Sequence, residues 1–100
     1  MTIYFVSRHP GAKEWARTKG LSVDQQLPHL DVAAIGPGDQ VIGTLPVNLA
    51  AQVCDRGGRY IHLALDVVVE MRGRDLSADE MTACGARLEE YRVERVAPSS

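Results

Sequence analysis

Ser7-Arg8-His9-Pro10-Gly11 places a hydroxyl, a guanidinium, an imidazole and two turn-forming residues side by side. Arg8 can fork two hydrogen bonds onto phosphate oxygens. His9 belongs to the residue type whose charge changes near neutrality, so it can give or take a proton. Ser7 offers a hydroxyl contact. Pro10 suits a first helical turn, where its missing N–H costs nothing, and the early N–H groups of such a helix favour an anion. Read without chemistry, the same stretch is an exposed turn. A second candidate is Gly43-Thr44-Leu45-Pro46. There Gly43 permits close backbone approach, Thr44 can bond a phosphate or ribose oxygen, and Leu45-Pro46 opens a helix. Alone it reads as strand punctuation, and its value comes from lying beside the first.

Other reactive side chains carry weaker signals. His62 lies between Ile61 and Leu63 and reads as a satisfied structural histidine, while His29 beside Pro28 reads as a solvated loop residue. Glu70-Met71-Arg72-Gly73-Arg74 reads as a solvated connection that could fold over the site and bring Arg72 or Arg74 to a phosphate. Glu89, Glu90, Arg92, Glu94 and Arg95 mix signs, as an ordinary outer face does. Cys54 and Cys84 sit in apolar helical patterns and read as small buried hydrophobes. No CxxC occurs and the three histidines are scattered, so neither a structural metal nor a cofactor is expected.

The elements that must position these residues follow from periodicity. Thr2–Val6, rich in β-branched and aromatic residues, predicts a strand ending at the Ser7–Gly11 turn. A short helix follows over Ala12–Lys19, with Trp15 as its apolar contact and Gly20 as its stop. Leu21–Leu30 could hold a short strand, against which Pro28 and Asp24-Gln25-Gln26 speak. Asp31–Ile35 predicts a helical turn, Gln40–Thr44 a strand, Val47–Arg56 a helix and Arg59–Leu65 a buried central strand. Ser77 and Glu80 form a capping-box pattern, opening a helix that uses Met81, Cys84 and Leu88 unless Gly85 ends it. Tyr91–Val96 alternates and predicts a last strand. Strand–turn–helix order implies an α/β fold, a small Rossmann-like layer with a mostly parallel sheet flanked by helices. Residues 1–96 are expected as one domain and 97–100 as a frayed tail. Ligands of such sheets sit beyond the carboxyl ends of the strands.

Composition bounds the function. A chain of 100 residues, 45% hydrophobic and 24% charged, has the balance of a globular domain. No apolar run reaches the roughly 18 residues of a membrane span. The opening Met1–Val6 lacks the basic flank and cleavage site of a signal peptide, so a cytoplasmic protein is expected. A net charge of −2 exerts no global pull on a long nucleic acid. An anionic ligand must therefore be held by a local cluster, which favours a small phosphate-bearing molecule.

Across nearly its whole length the chain resembles the small CRISPR-associated proteins of the Csx series, the family numbered sixteen, which accompany type III systems. The resemblance rests on Tyr4-Phe5-Val6-Ser7-Arg8-His9-Pro10-Gly11 with Trp15, and on Val41-Ile42-Gly43-Thr44-Leu45-Pro46. It continues through His62-Leu63, Met71-Arg72-Gly73 and Leu88-Glu89-Glu90-Tyr91-Arg92-Val93. It implies a ring nuclease that degrades cyclic oligoadenylates, chiefly cyclic tetra-adenylate, and works as a Rossmann-like homodimer. On that resemblance cleavage is metal-independent: a ribose 2′-hydroxyl attacks its own 3′-phosphate, leaving a 2′,3′-cyclic phosphate. Arg8 would stabilise the transition-state charge, and His9 would transfer a proton. Ser7, Thr44 and the early helix N–H groups after Pro10 and Gly11 would contact phosphate or ribose, with Gly43, Leu45 and Pro46 shaping the site and Arg72 and Arg74 covering it.

Three other readings stay open. Arg8-His9 after a first strand is similar to the Arg-His-Gly signature of histidine phosphatases, although Pro10 stands where their glycine belongs. The chain could also bind and sequester the cyclic nucleotide without cleaving it. Or it could be a structural partner of the CRISPR effector, with no nucleotide affinity.

Overall fold

The computed structural model describes residues 1–7, 10–66 and 76–96. Alternation along the first strand, β1 (Ile3–Val6), sends Tyr4 and Val6 to one face of a sheet and Phe5 to the other, and all three are buried. Such a strand needs cover on both faces, and the helices supply it. Helix α1 (Pro10–Thr18) lays Ala12, Trp15 and Ala16 against Phe5, Ile42 and Leu63. Helix α2 (Val47–Asp55) lays Ala50 and Val53 against Tyr4, Val6, Val41 and Tyr60 on the opposite face.

The remaining strands are β2 (Gln25–Leu27), β3 (Gln40–Gly43), β4 (Arg59–Ala64) and β5 (Arg87–Tyr91). They form one five-stranded sheet in the order β2-β1-β3-β4-β5. Neighbours among the first four are parallel, while β5 runs antiparallel to β4. A 3₁₀ turn at Val32–Ala34 carries Ile35 into the α2-side core, where it is 1% exposed. The arrangement is the expected α/β fold with a mostly parallel sheet.

Short hydrogen bonds tie the amino ends of the strands together. The Asp39 carboxylate accepts from the N–H groups of Thr2 and Gly36, each at 2.9 Å. Asp24 accepts from the Ile3 N–H at 2.8 Å. Arg56 donates to the carbonyls of Ile35 and Ala33, binding the end of α2 to the 3₁₀ turn.

Most boundaries lie within one residue of the sequence expectation, but α1 and the last strand begin two or more residues away from it. Helix α1 begins at Pro10 rather than Ala12, since Pro is favoured at a first helical position. The last strand is 87–91, not 91–96. Helix α3 (Ala78–Ala83) carries the expected Ser77–Glu80 capping box and stops early, with Gly85 at φ 72° just beyond it. Leu88 therefore joins β5 instead of extending α3. Its pairing runs out at Tyr91, opposite Tyr60, because β4 itself begins only one residue earlier. Glu90, expected on an ordinary outer face, is exposed there and takes a forked contact from Arg59 across the two strands, at 2.6 and 3.1 Å. The expected tail at 97–100 lies outside the described residues.

Candidate functional site

The chain leaves β1 through α1 to lay β2 on one side, then returns to lay β3 on the other. The β1/β3 boundary is thus the point where the winding reverses, the place where open α/β sheets bind ligands. The two strands end level, Val6 opposite Gly43, so Ser7 and Thr44 emerge next to each other in chain register. Ser7 and Thr44, one from each of the two stretches that the sequence marked, are thus neighbours. A Cβ at Gly43 would lie 2.4 Å from the Val6 carbonyl oxygen, so only glycine lets the strands close here. The Ser7 N–H donates to the Leu27 carbonyl at 3.0 Å, holding the start of the turn to β2.

Beyond Gly43 the backbone turns sharply into α2. Thr44 is exposed and Leu45 half-buried. Pro46 occupies the N-cap position with no side-chain cap. The N–H groups of Leu49 and Ala50 bond the Pro46 carbonyl, but those of Val47 and Asn48 donate to no described residue. An exposed hydroxyl thus precedes a helix start with two unspent donors, which suits a phosphate oxygen. Pro10 and Gly11 open α1 as expected. A Cβ at Gly11 would come within 1.7 Å of the Leu76 carbonyl oxygen, so this glycine allows α1 to approach the start of α3. Arg8, His9, Arg72 and Arg74 lie outside the described residues.

The sequence reading passed over Tyr60. Its ring is 3% exposed, and its hydroxyl sits under the β3–α2 turn. It accepts from the Leu45 N–H at 3.0 Å, lies 3.2 Å from the Gly43 carbonyl oxygen and 2.6 Å from His62 Nδ1. Burial raises the Tyr60 pKa above the ordinary tyrosine value, opposed by the Leu45 N–H and aided by Tyr91. His62 pairs directly opposite Gly43, so it stands in the same row of the sheet as Val6. Its ring also meets Tyr91 edge-on, with centroids 5.8 Å apart. A shallow groove of about 270 Å³ lies here, bordered by Leu45, Val47 and Ala50 on the β3–α2 side and by Tyr91 and Val93 on the other. The signal in the sequence was the two-residue spacing of Tyr60 and His62, which puts both on one face of a strand.

Other features fall elsewhere. A wider groove of about 740 Å³ follows α1 and β2, past Lys13, Arg17 and Asp24, where Arg17 is already paired with Glu14. Among the described residues no three His, Cys, Asp or Glu side chains cluster as metal ligands. Cys84 is buried, while Cys54 is half-buried and accepts from the Val93 N–H at 3.4 Å. His29 is exposed, as expected of a loop residue. No described helix is long and apolar enough to cross a membrane.

No curated protein and no solved structure matches this chain significantly. The family model described as "Putative CRISPR-associated protein (Cas_VVA1548)" matches residues 4–94. That span runs from the second residue of β1 through β5, and the chain belongs to this family.

Proposed function

We propose that this CRISPR-associated protein is a ring nuclease that cleaves a cyclic oligoadenylate second messenger, with cyclic tetra-adenylate as the first candidate substrate. The observation that carries the reading is the level ending of β1 and β3 at the winding reversal. Around that point stand the exposed Thr44 and the two unspent N–H groups at the start of α2, beside Ser7. Local donors can hold a phosphate on a chain whose net charge is −2.

In this reading the donors fix a phosphodiester so that the neighbouring ribose 2′-hydroxyl lies in line with it. Most of the rate comes from that positioning and from stabilising the charge that develops on the phosphoryl oxygens. Ser7, Thr44 and the N–H groups of Val47 and Asn48 hold phosphate or ribose oxygens. Gly43, Leu45 and Pro46 shape the approach, and Pro10 and Gly11 open the helix on the other side. Arg8 takes the transition-state charge and His9 transfers a proton, with Arg72 and Arg74 reaching the ring from the connection after β4. No metal is required. We place the protein in the cytoplasm, as an accessory of a type III system, and as a homodimer.

The test is to incubate the pure protein with cyclic tetra-adenylate and EDTA, then separate the products and weigh them by mass spectrometry. Linear di-adenylate ending in a 2′,3′-cyclic phosphate is expected. Intact ring that co-elutes with the protein would show a binding module instead. Absence of any association would remove both nucleotide readings.

A further inference from the structure

We propose that His62 is a proton-transfer residue of the strand-end site, held by Tyr60 so that its Nε2 takes the proton of the attacking ribose hydroxyl. The inference rests on the ring-nuclease reading and deepens it. Attack by a 2′-hydroxyl needs a base for that hydroxyl and an acid for the departing 5′ oxygen, two tasks that one imidazole does not perform at once.

The Tyr60 hydroxyl sets the histidine's protonation pattern. It has one proton to give and two lone pairs to receive. It receives from the Leu45 N–H, and it faces both the Gly43 carbonyl and His62 Nδ1. All three contacts are satisfied together when the phenol donates to the Gly43 carbonyl and His62 Nδ1–H donates to the phenol. That arrangement leaves the lone pair on Nε2, the nitrogen a base requires. Nε2 makes no hydrogen bond to any described residue, and the half-buried side chain borders an open groove. A histidine kept for packing alone has no need of a buried phenol holding its Nδ1. The titratable groups that face it are Tyr60 on its own strand and Glu89 and Tyr91 on β5. Glu89 is its direct cross-strand partner and is itself 3.5 Å from Arg87. Helix α2 brings only Val47 and Ala50 to the groove.

The step balances as follows. The 2′-hydroxyl proton passes to His62 Nε2 as the bond from the 2′ oxygen to phosphorus forms. The bond from phosphorus to the 5′ oxygen breaks, and that oxygen takes a proton from the His9 imidazolium. The products are a 2′,3′-cyclic phosphate and a 5′-hydroxyl. Solvent then restores both histidines. Tyr60 is a positioning residue, acting through His62.

The experiment compares wild type, H62Q, Y60F and H9A on the cyclic tetra-adenylate ring and on a ring with sulfur as the bridging 5′ atom. A departing thiolate needs no proton, so that substrate rescues a missing acid but not a missing base. H62Q is expected to bind the natural ring with wild-type Kd, to cleave it about 100-fold more slowly or worse, and to gain nothing from sulfur. It should also lose the acid-side limb of the pH–rate profile. H9A should recover on the sulfur ring, and Y60F should slow cleavage with a displaced acid-side limb. H62Q cleaving within about 3-fold of wild type, or recovering on sulfur, overturns the assignment while leaving the ring-nuclease reading intact. If H62Q fails to fold, Y60F decides, since an unmoved pH profile there overturns it equally. A wild-type protein that leaves the natural ring whole overturns both.

Discussion

Gly43 has no side chain to offer a ligand, yet the whole site depends on it. A methyl group there would meet the Val6 carbonyl oxygen at 2.4 Å, and backbone on both sides cannot yield without parting β1 from β3. G43A should therefore lose about 1–3 kcal/mol of stability, the usual cost of overpacking a tight contact. Urea unfolding followed by circular dichroism measures it, and an unchanged midpoint would show that the two strand ends are not pressed together in solution. His62 and Tyr60 act at the same scale, where a single hydroxyl connects the β3–α2 turn to a side chain in the next strand.

At the scale of elements, Asp39 joins the first residues of the chain to the turn before β3. Its carboxylate lies below the usual aspartate range because it accepts from the Gly36 N–H first and the Thr2 N–H second. A carboxyl group whose folded pKa is depressed adds stability that is present above its unfolded pKa, about 3.9, and lost as pH falls through the folded value. Glu90, lowered by Arg59, contributes in the same direction. D39N should thus be less stable than wild type at pH 7, and the gap should close as pH falls below about 4. Thermal melts at both pH values read this directly, and a gap that stays constant would show that the amide replaces the carboxylate at no pH-dependent cost. Element boundaries were unevenly readable. β3, β4 and α2 carry the apolar patterns of covered elements and stand almost where their residues place them. β2 holds only Gln25, Gln26 and Leu27 at a sheet edge, where burial imposes no pattern on the side chains.

At the scale of the whole molecule, a chain of net charge −2 would have to hold a ring of four phosphates through local donors. On the proposed function, two chains facing each other across a two-fold axis would double the set and match the symmetry of the ring. The expected outcome is one cyclic tetra-adenylate per two chains by isothermal titration, on a species of about twice 10.9 kDa by light scattering. One ring per chain on a monomer would show that a single strand-end site suffices.

Sequence alone determined the α/β class and the helices that follow β1 and β3. Each of these is written in local periodicity, turn residues and capping, which act between near neighbours in the chain. Only the tertiary structure decided that β1 and β3 lie side by side, which sets Ser7 next to Thr44 in register. It also decided that residues 87–91 pair with β4 rather than prolonging a helix, and that Tyr60 reaches from one strand to the turn of another. Those outcomes depend on which elements share an edge or a face, and that is settled by the joint burial of both sheet faces rather than by any stretch of residues on its own.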